Sequence, residues 1–143
     1  MQAIVVAVCL NSTKGEKKYP VESVALRENH GVVGDGHAGE WHRQLSLLSQ
    51  ESVETMRARG ADVSFGDFGE NICTRGIDLV SLPVGSRLAL GDAVIEITQI
   101  GKPCVAPCAI FYQAGDCVMP REGVFARVIT GGEIAAGTPI FRL

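Results

Sequence analysis

Three of the chain's five cysteines fall in one short stretch, GKPCVAPCAIFYQAGDCVM at 101–119: Cys104, Cys108 and Cys117. Thiols set this close can hold a metal, form a redox pair, act as a nucleophile, or simply pack as small apolar side chains. Structural zinc wants four ligands, delivered as two close pairs. Here the spacings are C-x3-C and C-x8-C and the segment has no histidine, which argues against a zinc knot. Cys9 and Cys73 sit in apolar runs and read as packed sulfur, because free cysteine is among the most buried residue types. Cys104 and Cys108 differ, since they lie in a loop of prolines and glycine with Lys102 just before them and Arg121 soon after. A nearby cation raises the thiolate fraction, and the thiolate is both the nucleophile and the soft metal ligand. The same surroundings suit an anionic ligand. The residues alone leave Cys104 and Cys108 level.

The elements that must position these groups read mainly as strands. QAIVVAVC at 2–9 has the Val/Ile content of a buried strand, and VESVALRE at 21–28 and RQLSLLS at 43–49 are two more. NSTKGEKKYP between the first two is expected to be an exposed polar loop. One helix is definite: Ser49 caps it, Glu51 lies in its first turn, Arg57 and Arg59 near its end, and Gly60 stops it. RLALGDAVIEITQIG is a hairpin, with Arg87–Leu90, a Gly91–Asp92 turn and Val94–Ile100. VFARVIT and TPIFRL supply the closing strands, and a helical turn is expected at 109–113. About seven or eight short strands without βαβ alternation predict a closed or nearly closed β-barrel with one helix and short helical turns.

Composition bounds the rest. The 143 residues suit a single domain over 1–143, and 46% hydrophobic residues supply a core. A net charge of −3 speaks against a nucleic-acid binder. No apolar run reaches about 18 residues, so no membrane span is expected. The opening MQAIVVAVCL lacks a basic leader and reads as a first strand, not a signal peptide. An odd cysteine count without export features predicts free thiols in a reducing cytoplasm.

Five motifs in order resemble the MOSC domain, named after the C-terminal part of molybdenum cofactor sulfurase, in its short stand-alone bacterial type. They are GDGHAGEWHRQLSLLSQES, GDFGENI, the run from Leu82 to Gly101, the segment from Gly101 to Gly132, and GGEIAAGTPI. In the last, Thr138 stands where the family usually has Asp. The resemblance covers the chain from about Val24 onward and implies a β-barrel. It also implies a cysteine that handles sulfur or ligates molybdenum. In the related reductases the metal-binding cysteine precedes a short apolar run, as Cys108 does in CAIF, which ranks Cys108 above Cys104 and leaves Cys117 third.

On that footing Lys102, Arg121 and Arg127 are candidates to hold the phosphate of molybdopterin, Arg as a planar fork and Lys as a point charge. Arg127, inside VFARVIT, has solvent as its other destination. Asp35, His37 and Arg43 lie on a glycine-rich loop that lets a bulky ligand approach the backbone. His37, with an ordinary pKa of about 6.5, is a candidate proton relay. Equally, Asp35 and Gly36 form a turn and His37 bonds the backbone. Asn71, with Glu70, orients a loop or touches ligand, while His30 and His42 read as surface residues.

The resemblance implies a molybdenum-cofactor-associated sulfur carrier. Its partners would be a cysteine desulfurase and a molybdenum enzyme or cofactor-biosynthesis protein. Pyridoxal phosphate would belong to the desulfurase alone, because the lysine-bearing aminotransferase-like domain of the sulfurase has no counterpart here. Delivery or binding is therefore expected in preference to turnover by this chain. The alternative is a non-enzymatic pterin- or anion-binding module that docks on a molybdenum enzyme, with structural cysteines.

Overall fold

The computed structural model describes residues 2–14, 16–101 and 122–143. Lys102, Cys104, Cys108, Cys117, Arg121 and the helical turn expected at 109–113 lie outside the described residues.

The described chain is mainly β, with one α-helix. Its strands are β1 (Ile4–Leu10), β2 (Tyr19–Val21), β3 (Ser23–Arg27), β4 (Gly31–Val32), β5 (Leu45–Ser49), β6 (Ile72–Arg75), β7 (Arg87–Leu90), β8 (Ala93–Ile100), β9 (Val124–Thr130), β10 (Gly132–Ala135) and β11 (Ile140–Arg142). Helix α1 (Gln50–Ala58) follows β5 directly. Strand alternation sets the inward faces: Ala93, Ile95 and Ile97 of β8 are buried while Val94 and Glu96 are less so. The helix ends where its caps dictate. The Ser49 side chain accepts from the Ser52 amide at 3.0 Å, and Gly60 takes the left-handed conformation just past the last turn.

Eight strands form one sheet in the order β11-β7-β8-β9-β5-β6-β1-β2, and β10-β3-β4 form a second. Among the described strands every pairing is antiparallel except that of β5 with β6. The ends of the large sheet approach each other, but β1 meets the chain before β11 at a single bridge, Ile4 to Pro139. The Val5 amide donates to Thr138 O, and the Ile140 amide donates to Ala3 O. Proline has no amide to continue a ladder, so pairing is interrupted there. The described strands therefore do not close into the expected barrel by continuous pairing; they form two sheets around a common core.

That core has two parts. The larger joins Val5, Val8, Leu45, Leu47, Ile72, Leu88, Ile95 and Ile97 of the large sheet to Val24, Leu26 and Ile134 of the small one. The second lies under the helix, where Val53 and Met56 meet Leu48, Cys9, Cys73 and Phe125. Each fully buried Leu, Ile or Phe contributes on the order of 1.5–3 kcal/mol. No helix of the described residues is long and apolar enough to cross a membrane.

Candidate functional site

Strands β8 and β9 pair as far as Ile100 and Val124, and the Gly101 amide donates to Gly123 O at 2.6 Å. The cysteine-bearing segment therefore leaves the sheet and rejoins it at one place. The neighbours of that place are set by a short chain of side-chain bonds. Gln99 Nε2 donates to Gly101 O at 2.8 Å, and Gln99 Oε1 meets His42 Nε2 at 2.9 Å. Thr98 Oγ1 donates to His42 O. The 34–43 loop is thus fastened to the root of the cysteine segment.

Within that loop, Arg43 lies over two aromatic rings. Its guanidinium carbon is 4.8 Å from the Trp41 centroid and 5.6 Å from that of Phe125. Lys14 Nζ sits 4.8 Å from the same Trp41 ring. Arg43 Nε is buried without a hydrogen-bond partner among the described residues, and so is Ser46 Oγ, on the residue that pairs with Phe125. Buried donors of this kind cost roughly 1–3 kcal/mol when unsatisfied, so an acceptor arriving here would recover that loss.

Asp35 and His37 meet Lys18, which is fully buried. Lys18 Nζ donates to Asp35 Oδ1 at 3.0 Å and Oδ2 at 3.1 Å, and contacts His37 Nδ1 at 3.0 Å. The Asp35 carboxylate also accepts from the Asn11 and His37 amides, each at 3.1 Å. The turn expected at 35–36 is present in this form, with the His37 side chain added to it. Gly36 presses on the 12–14 backbone so closely that a Cβ would stand 2.5 Å from Lys14 N. The loop therefore packs directly on the 12–14 backbone, and within it Trp41 Nε1 donates to His37 O at 2.8 Å.

GDFGENI positions Lys18. The Glu70 carboxylate accepts from the Gly66 amide at 2.9 Å, the Phe68 amide at 3.2 Å and the Cys73 thiol at 3.0 Å. Gly66, at φ +93°, lies against the Lys18 carbonyl, where a Cβ would come within 2.2 Å. The Lys18 amide in turn donates to Gly66 O. Burial raises the Glu70 pKa despite those three donors. Burial, then the Glu70 charge, pushes Cys9 up to about 12. The Cys73 thiol is raised too, by burial first and Glu70 second. Cys9 and Cys73 are thus buried thiols with little thiolate at neutral pH, in keeping with packed sulfur.

The remaining candidates stand apart from this centre. Asn71 is fully buried, and its amide is spent between strands: Nδ2 donates to Cys9 O at 3.1 Å and Oδ1 accepts from the Ser46 amide at 3.1 Å. Arg127 reaches Glu96 Oε2 with Nε at 2.8 Å and Nη2 at 2.7 Å. Burial acts upward on Glu96, but the Arg127 and Arg87 bonds outweigh it and hold its pKa below the usual carboxylate value. Arg127 still lines an open cleft of about 530 Å³ together with Trp41, His42 and Thr98, so it stands at the outer end of the same surface. His30 is half-buried and His42 exposed.

Sequence reasoning missed Lys18, which it left in an exposed loop, and Lys14, Trp41, Gln99 and the bridging role of His42. Trp41 carried a signal, as the chain's one tryptophan inside a glycine-rich loop. Lys18 carried none, being one of three lysines within five residues. Among the described residues no group of three or more His, Cys, Asp or Glu is arranged to hold a metal ion.

The sequence profile of the MOSC domain matches residues 34–141. No curated protein matches by sequence. Among solved structures, the YuaD protein from Bacillus subtilis superposes with a TM-score of 0.80 at 21% identity, covering 98% of this chain and 94% of that one. YiiM from Geobacillus stearothermophilus gives 0.72 at 20% identity, over 99% and 75% of the two chains. YiiM from Escherichia coli gives 0.69 at 22% identity, over 100% and 70%. At these identities the likeness is one of fold.

Proposed function

Because the chain belongs to the MOSC domain family, we propose that it is a molybdenum-cofactor-associated sulfur carrier whose working thiol is Cys108. The observation that carries this reading is the fastening of the 34–43 loop to the root of the cysteine segment through His42, Gln99 and Gly101. It sets that loop beside Gly101, where the chain that carries the thiols leaves β8. Cys108 thiolate would attack the terminal sulfur of a persulfide on a cysteine desulfurase. The new S–S bond makes Cys108 the persulfide, and the donor cysteine leaves as a thiolate. The acceptor would be a molybdenum enzyme or a cofactor-biosynthesis protein.

The residues present fit molybdopterin. Arg43 has a buried Nε lacking a partner among the described residues and lies on two aromatic rings. With Lys14 it would hold the phosphate. Lys102 and Arg121 would add charge, and Arg127 would border the outer cleft. When bound, the cofactor would supply a redox-active molybdenum centre, for which a cysteine thiolate is a suitable soft donor.

The same unsatisfied Arg43 Nε favours a second reading, a pterin- or anion-binding module whose cysteines are structural. Replacing Cys108 by Ser separates the two. The carrier loses persulfide loading and keeps pterin affinity. A variant that still loads sulfur to the wild-type extent removes Cys108 from the role.

A further inference from the structure

Two side-chain amides deliver opposite polarity to one cleft. The Gly101 carbonyl can only accept, so the end of Gln99 that meets it is the amino group. The other end is then the oxygen, and His42 Nε2, 2.9 Å away, has to be the donor. In the neutral ring the lone pair is left on Nδ1. Gln44 is fixed in the same way. The Val128 amide can only donate, so Gln44 Oε1 faces it at 2.9 Å, and Gln44 Nε2 donates to Asn29 Oδ1 at 3.0 Å. Asn29 Nδ2 is left as a donor. We propose that the cleft of about 530 Å³ lined by His42 and Asn29 takes a neutral ligand with an N–H beside a C=O, as in a lactam, its N–H donating to His42 Nδ1 and its carbonyl accepting from Asn29 Nδ2.

Both groups are held by the large sheet. From β8, Thr98 Oγ1 donates to His42 O, and Trp41 meets the His42 ring edge-on with centroids 5.8 Å apart. Gln44, which sets the Asn29 amide, is fully buried. The Asn29 backbone amide donates to Val128 O at 3.0 Å, with residue 29 in the left-handed region at φ 50°, which asparagine tolerates better than most residues. Among the described residues neither His42 Nδ1 nor Asn29 Nδ2 has a further partner. Polarity then selects the class of ligand. An oxyanion would set its oxygens against the His42 lone pair, and an ammonium would meet the Asn29 amino group. The charge on Arg127, which shares the cleft, is already answered by Glu96 at 2.7 Å.

Nitrogen-15 NMR of the wild-type protein at about pH 8 reads both groups. The expected His42 ring is protonated on Nε2 and bare on Nδ1. Titration with 2-pyridone, a rigid lactam, should shift the His42 ring and Asn29 side-chain amide signals saturably. N-methyl-2-pyridone keeps the carbonyl and lacks the N–H, and should bind about five- to tenfold more weakly, the worth of one hydrogen bond. Asn29→Asp keeps the bond from Gln44 but turns the free donor into an acceptor, and should weaken 2-pyridone by at least about tenfold. A wild-type ring protonated on Nδ1, no saturable shift with 2-pyridone, equal affinity for the two pyridones, or unchanged affinity in Asn29→Asp would each overturn the proposal. A pterin carries the same edge: its displacement of bound 2-pyridone assigns the cleft to the cofactor's ring, and retention of 2-pyridone assigns it to a separate lactam. Sulfur loading at Cys108 has no part in these signals, so the carrier reading and this one fail separately.

Discussion

Replacing Lys18 by Met tests whether the buried pair holds the loop energetically as well as geometrically. Both side chains of the pair are 0% exposed and 3.0 Å apart. Methionine keeps the apolar stem and removes the charge, stranding the Asp35 carboxylate with only the Asn11 and His37 amides. Breaking a buried pair from one side costs about 3–5 kcal/mol. The two remaining amide bonds hold part of the charge, which puts Lys18→Met at the low end, about 3 kcal/mol. Asp35→Asn strands the ammonium and should cost about as much. Independent effects would sum to about 6 kcal/mol, whereas neutral replacement of a buried pair is often close to neutral. The double variant should therefore lie within about 2 kcal/mol of wild type, a coupling of about 4 kcal/mol. Urea unfolding with an unchanged m-value measures all four corners of the cycle. Additive losses, with coupling below about 1 kcal/mol, would refute the reasoning.

Thiol titration of the native protein at pH 8 should leave Cys9 and Cys73 silent, since a pKa of about 12 leaves Cys9 about one part in 10⁴ thiolate; rapid labelling of either would contradict their burial. Glu70→Gln should flatten the pH dependence of stability. A carboxyl whose folded pKa is raised above 4.5 makes the fold lose stability as pH rises from that value through the folded pKa. A variant with the wild-type slope would show that Glu70 is not the group responsible. Gly66→Ala should cost about 1–3 kcal/mol for the left-handed backbone alone, and more because its Cβ meets the Lys18 carbonyl; thermal unfolding within 1 °C of wild type would contradict that packing.

Local signals made much of the frame legible. The Ser49 cap and the Gly60 stop bracket α1 as expected, and the hairpin from Arg87 to Ile100 turns at Gly91–Asp92. Those features depend on residues close in sequence. The short strands β2, β4 and β10 were not legible, because two to four residues carry too little alternation to be read. Their pairing is decided by partners far along the chain, as β10 is by β3.

The site divides the same way. Asp35, His37 and Arg43 stood out because they punctuate a glycine-rich loop, and all three lie in or beside the centre described above. Lys18 is buried by Gly66, Asp35 and His37 together, and no pattern around residue 18 encodes that. Asn71 was singled out within GDFGENI, and its side chain turns out to tie β1 to β5. A buried amide and a ligand-facing one have the same letter in a sequence; only the long-range partners tell them apart.

Site-resolved mass spectrometry after incubating the wild-type chain with a cysteine desulfurase and cysteine tests the central claim most directly. The account predicts a gain of one sulfur atom on the peptide carrying Cys108, reversed by thiol reductant and absent in Cys108→Ser. Sulfur mapped to another cysteine, or no gain under conditions that leave the protein folded, would contradict it.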